Sequence, residues 1–189
     1  MKEEKPRQRI LSTASRLFYT QGYNRTGINQ IISESDVSKD TLYRNFKGKE
    51  DVGIHYIKEA RLDWFKQFNN HLSKSKDNKS KLIGAFDFLA NSMVVNEFRG
   101  CRFLNLLTEI ESTSEIARQE IVSHKQQLRE TFISLFESLE DAQRDKGELR
   151  ELGNVSYLLF EGAIIESKIF KDVWPILKSK NMVAKLIEV

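Results

Sequence analysis

Apolar positions along this chain recur at helical rather than strand spacing. Between Pro6 and Gly22 they fall at Ile10, Leu11, Ala14, Leu17 and Phe18, one stripe of an amphipathic helix. Pro6 near its start and Gly22 just past its end sit where helices accept those residues. Thr26 is placed to cap a short second helix with Ile28, Ile31 and Ile32 on one side, and Ser35-Asp36 interrupts it. Val37-Ser38 opens a third short helix, capped through the Ser38 hydroxyl and carrying Leu42, Tyr43 and Phe46, before Lys47-Gly48-Lys49 stops it. Two short helices joined by a tight break and braced by a longer first one form a helix-turn-helix. Ile31, Ile32, Val37 and Leu42 must then share one small core, so that the third helix is held outward. Ser38, Lys39, Asp40, Thr41 and Arg44 are left on its outer face, able to enter a major groove.

The same periodicity predicts helices for the rest of the chain. One runs from Lys49 to about Leu72, with Val52, Tyr56 or Ile57, Ala60, Trp64, Phe65, Phe68 and Leu72 inward. The polar stretch from Ser73 to Ser80 reads as a loop, and Leu82 to Val95 as a helix with Phe86, Leu89, Ala90 and Met93 on one face. Phe98-Arg99-Gly100 breaks it. A short apolar helix covers Cys101 to Ile110. Another starts at Ser112-Thr113-Ser114 with Glu115, runs to about Ala142 on a stripe including Ile121, Leu128, Phe132, Phe136 and Leu139, and is ended by Asp145-Lys146-Gly147. Gly153 to Phe170 is apolar on nearly every side, more than one subunit's core can cover, and Gly162 and Ala163 would allow close approach of a second copy. Pro175 sits in the first turn of a last helix carrying Ile176, Leu177, Val183, Ala184, Leu186 and Ile187. The expected fold class is all-α, with nine helices.

Composition and charge sharpen this. The chain has 189 residues, 40% apolar and 30% charged, enough for one large domain or two small ones with a wet surface. No run approaches the roughly 18 apolar residues of a membrane span, and the charged N-terminus is not a signal peptide. The single cysteine forms no internal disulfide, so a reduced, cytoplasmic protein is expected. Residues 1–50 hold ten lysines and arginines against six carboxylates, whereas residues 51–189 hold twenty against twenty-one. A basic head on a neutral body suggests a polyanionic partner. Gly-rich phosphate loops, zinc-spaced Cys/His sets and nucleophile motifs do not occur, and His55, His71 and His124 stand far apart. Catalytic residues, metal sites and cofactors are therefore not expected. Cys101 has two readings, a small buried hydrophobe or, near a helix N-terminus, a thiol that senses oxidants or electrophiles.

Ile10-Leu11-x-x-Ala14-x-x-Leu17-Phe18-x-x-x-Gly22-Tyr23-x-x-Thr26, then Ile28-x-x-Ile31, then Val37-Ser38-Lys39-x-Thr41-Leu42-Tyr43-x-x-Phe46-x-x-Lys49-Glu50 resembles the TetR family of bacterial transcriptional regulators. Downstream, Gly100 to Asn105 with Glu109 resembles a pattern of that family's ligand-binding domains. The resemblance implies a helix-turn-helix DNA-binding domain over 1–50 and a helical effector-binding and dimerisation domain over 51–189. It implies a homodimer, joined through the helices at about 153–170 and 175–187, that binds a near-palindromic double-stranded operator. The implied activity is repression released by a small hydrophobic or aromatic effector. Thr26, Gly27, Ser38, Lys39, Thr41, Tyr43, Arg44 and Lys49 would then face DNA. Trp64, Phe68, Phe86, Leu89, Met93, Phe103, Leu107, Phe132, Phe136 and Phe160 would line the effector site. Two positions depart from the family: Asp36 replaces the usual turn glycine, and Gly27 replaces a Thr or Ser that offers a phosphate contact. Asp tolerates a left-handed backbone, so the turn should survive. The alternatives are a protein that coats DNA without sequence preference, and a redox-sensing regulator acting through Cys101.

Overall fold

The computed structural model describes residues 5–110, 115–139 and 144–188, and the expected helix limits at 112–114 and 142 lie outside them. The described residues form nine α-helices and no strand. They are α1 Pro6–Thr20, α2 Ile28–Glu34, α3 Lys39–Asn45, α4 Lys49–Leu72, α5 Asn78–Val95, α6 Arg102–Glu109, α7 Glu115–Glu137, α8 Lys146–Phe170 and α9 Trp174–Glu188. The all-α reading holds.

Several helix starts differ from expectation, two of them because of a side-chain cap. The α2 N-cap is Gly27 and not Thr26, and no side chain caps it. Asp77 accepts a hydrogen bond from the Ser80 amide at 2.7 Å, so α5 begins ahead of the expected Leu82. That bond holds the Asp77 carboxyl below its ordinary pKa. Asp145 does not end a helix but starts one: it accepts from Glu148 N while Glu148 accepts from Asp145 N, both at 2.9 Å. This capping box carries α8 back to Lys146, well before Gly153.

Packing divides the chain into two compact units, cut differently from the expected functional domains. One comprises the chain up to Asp63 with Arg102–Val122, the other Trp64–Cys101 with the chain from Ser123 onward. In the first, the α1 stripe of Ile10, Leu11, Ala14, Leu17 and Phe18 is buried, together with Ile31, Leu42, Phe46, Val52, Tyr56 and Ile57. Ile32 and Val37, expected in the same core, are only half-buried.

The second unit is built around aromatic rings. Phe86, Phe132 and Phe160 meet with centroids 5.4 to 6.1 Å apart, and Trp64 stacks on Phe68 at 4.7 Å. Gly153 lets α8 approach α7 closely, because a Cβ there would lie 2.5 Å from the Ile133 Cα. On the other side of α8, Val155, Leu158, Ile165 and Ile169 are exposed, and a Cβ added at Gly162 would meet nothing within 4 Å.

Candidate nucleic-acid interface

The sequence places a turn and a cap at the two ends of Asp36–Ser38, and both fix how α3 is presented. Asp36 takes the left-handed conformation at φ 51°, a region a short polar side chain enters more readily than a branched one. Ser38 Oγ accepts from the Thr41 amide at 3.1 Å, satisfying a free donor of the first turn. The same hydroxyl lies 2.8 Å from Thr41 Oγ1, which also accepts from Arg44 Nη2 at 3.2 Å. Asn45 Nδ2 donates to the Thr41 carbonyl at 2.7 Å. Leu42 and Phe46 anchor the opposite face at 0% and 2% exposure, while Tyr43 is 47% exposed.

The outer face of α3 therefore presents Ser38, Lys39, Asp40, Tyr43 and Arg44 to solvent, with Thr41 half-buried among them. Its donors and aromatic hydroxyl are of the types that meet phosphates and base edges. Gly27, in an extended conformation before α2, is also exposed. Thr26 is different. It is fully buried, its hydroxyl donates to the Gly22 carbonyl at 2.7 Å and accepts from Gln21 at 3.2 Å, so its side chain braces the turn instead of facing outward.

Lys49 begins α4, but its ammonium does not point into open solvent. It lies 4.2 Å from the centroid of the Tyr23 ring. Burial pushes its pKa down, and the Glu109 carboxylate opposes this. Tyr23 can lie that close to α4 because residue 53 is glycine, where a Cβ would stand 3.0 Å from the ring. Sequence reasoning gave Gly53 no role, since its function exists only once Tyr23 is in place.

Other basic residues of the head are partly engaged. Arg7 pairs with Glu59 at 3.3 Å, Arg9 with Asp36 at 3.4 Å and Arg16 with Glu34 at 2.6 Å. Arg25 and Lys47 are exposed.

The ten residues expected around an effector fall in different places. Phe68, Phe86, Leu89, Met93, Phe132, Phe136 and Phe160 are buried in one cluster of the second unit, with Trp64 packed against it. Phe103 and Leu107 belong to the first unit, where Phe103 is buried and Leu107 is 40% exposed. The second unit also holds a cavity of about 500 Å³ whose walls include Ile83, Gly84, Ala184 and Ile187, with His71, Lys74, Lys79 and Glu188 around them. None of the expected effector residues lines it. Its contributors come from the end of α4, the polar loop after it, the first turns of α5 and the end of α9, and no spacing in the sequence joins the last of these to the others.

Cys101 is half-buried in the second unit, with Lys125 Nζ 3.6 Å from its sulfur and 2.5 Å from Glu161 Oε2. Burial would push the Lys125 pKa down, yet Cys101 and Glu161 together leave it above the ordinary lysine value. Among the described residues, no group of three or more His, Cys, Asp or Glu could hold a metal ion, and no helix is long and apolar enough to cross a membrane.

Comparison with known proteins agrees with this geometry. Residues 10–52 match the model of bacterial regulatory proteins of the tetR family. Over 190 aligned residues, covering 96% of this chain and 94% of the relative, it is 30% identical to the HTH-type transcriptional regulator YxaF of Bacillus subtilis. It is 27% identical to the regulator LmrA of the same organism, with 96% of each chain covered. The structure of SCO4454, a TetR-family regulator from Streptomyces coelicolor, superposes with a TM-score of 0.80 at 25% identity, covering 96% of this chain and 91% of that one. A basic helix-turn-helix head, a body whose described elements are all helices and relatives matched nearly end to end agree, and the chain belongs to the TetR family of bacterial transcriptional regulators.

Proposed function

We propose that the protein is a cytoplasmic homodimeric repressor that binds a near-palindromic operator and is released by a small hydrophobic or aromatic effector. The observation that carries the DNA reading is the outer face of α3: Lys39, Tyr43 and Arg44 are exposed on a helix whose other face is anchored by Leu42. In this reading Lys39 and Arg44 meet phosphates or base edges, Tyr43 and Lys49 phosphates, and Ser38, Thr41 and Gly27 approach the backbone. Thr26 acts by bracing the turn.

Dimer formation is supported by α8. Val155, Leu158, Gly162, Ile165 and Ile169 recur at alternating spacings of three and four, the pattern of a helix–helix seam. Leu177 and Met182 of α9 are 46% and 48% exposed and would extend that seam into a four-helix bundle shared by two copies. Two recognition helices would then read half-sites one turn of DNA apart.

The effector is proposed to enter among the rings of the second unit, Trp64, Phe68, Phe86, Phe132, Phe136 and Phe160. Rings packed this closely admit a guest only by parting, so binding would favour a second conformation and shift the DNA-binding equilibrium by its preference for that form. Native mass spectrometry of the purified protein tests this: a retained small molecule supports it, whereas an unliganded dimer insensitive to apolar compounds counts against it.

A second reading keeps the DNA-binding head and makes Cys101 the sensor. It is favoured by the Lys125 ammonium 3.6 Å from the sulfur, since responsive cysteines are partly exposed and beside a cation. Competition footprinting on operator DNA decides between a sequence-specific regulator, which protects one palindrome, and a coating protein, which protects uniformly.

A further inference from the structure

In the first unit a carboxylate from outside residues 1–50 is held against the loop that leads into α2. Glu109, at the end of α6, accepts a hydrogen bond from the backbone amide of Asn24 at 2.7 Å. Asn24 lies in the loop that leads into α2, and main-chain N–H groups of this kind are common phosphate donors. A Cβ on Gly22 would stand 3.0 Å from both Glu109 oxygens, so the carboxylate nests against the loop where residue 22 has no side chain and holds φ 98°. The third participant is Lys49, held over the Tyr23 ring and within the field of the Glu109 charge. One carboxylate thus faces a backbone amide and draws on an ammonium, the two kinds of group a DNA phosphate needs at the edge of a helix-turn-helix.

We infer that Glu109 is an internal competitor for DNA phosphate: it occupies the Asn24 amide, holds back Lys49, and thereby limits operator affinity. The inference rests on the DNA-binding reading of the head given above. Removing its charge frees one cation for DNA, and each phosphate neutralised steepens the dependence of log K on log salt by about 0.9.

The test uses the full-length protein, a labelled duplex enriched from a random pool by the wild type, and an unselected duplex of equal length. Binding is followed by fluorescence anisotropy across a salt series for the wild type, E109Q, K49Q and the double variant. Gln keeps an oxygen to accept from Asn24 N–H and loses only the charge; E109A is run in parallel in case that amide repacks. Expected are about five- to ten-fold tighter binding by E109Q on both duplexes, a slope steeper by about 0.9, and a K49Q loss several-fold larger in the E109Q background than in the wild type. Unchanged or weaker binding by both Glu109 variants at an unchanged slope, or equal K49Q losses in the two backgrounds, overturns the inference while leaving the DNA reading intact. Failure of the wild type to bind either duplex overturns that reading, and the inference falls with it.

Discussion

Two helices, α3 and α8, each bury one face and leave the other open, with opposite chemistry. The open face of α3 carries Lys39, Tyr43 and Arg44 over a small core around Ile31, Leu42 and Phe46. The open face of α8 carries Val155, Leu158, Ile165 and Ile169 over a large aromatic core. A charged face remains soluble alone and is completed by a polyanion; an apolar stripe of that length is completed by another apolar surface. The lesson is that exposure alone does not identify a binding face, and its chemistry indicates the kind of partner.

The comparison breaks most visibly where the supporting core is removed. Phe86→Ala should cost about 3–5 kcal/mol of stability, read by urea unfolding, because a fully buried ring leaves a void among Phe132 and Phe160. On the open side of α8 the effect moves from folding to assembly. Leu158→Glu with Ile165→Glu should weaken self-association at least about 100-fold, roughly 3 kcal/mol, by sedimentation equilibrium. The fold itself should keep its stability within about 0.5 kcal/mol per substitution, since both side chains are exposed.

On α3, Arg44→Ala should cost about 1–3 kcal/mol in operator binding and relax preference at one base position if the guanidinium reads a base. A loss spread evenly over sequences, with a salt slope shallower by about 1, would assign it to a phosphate. The smallest effect belongs to the cap: Ser38→Ala should lower stability by about 1 kcal/mol through the bond to Thr41 N, measured by thermal melting.

Much of this arrangement was legible in the order of residues. The α1 stripe, the Ser38 cap and the left-handed Asp36 follow from rules that act over one helical turn. Asp145 and Glu148 carry a capping signal, but Asp145-Lys146-Gly147 reads equally as a helix stop, and Asp77 lies in a polar run that reads as a loop. Thr26 could not be separated from a helix cap by sequence, because its actual partner, the Gly22 carbonyl, depends on how the loop closes. The roles of Gly53, of Glu109 beside Asn24 and of the cavity walls require residues distant in the chain to meet, and no periodicity encodes such meetings.

The most direct test of a paired α3 reading DNA is selection of duplexes from a random pool by the full-length protein at physiological salt. Enrichment of an inverted repeat with half-sites about 10 base pairs apart is the predicted result. Recovery of a lone half-site, or of no common sequence, would contradict it.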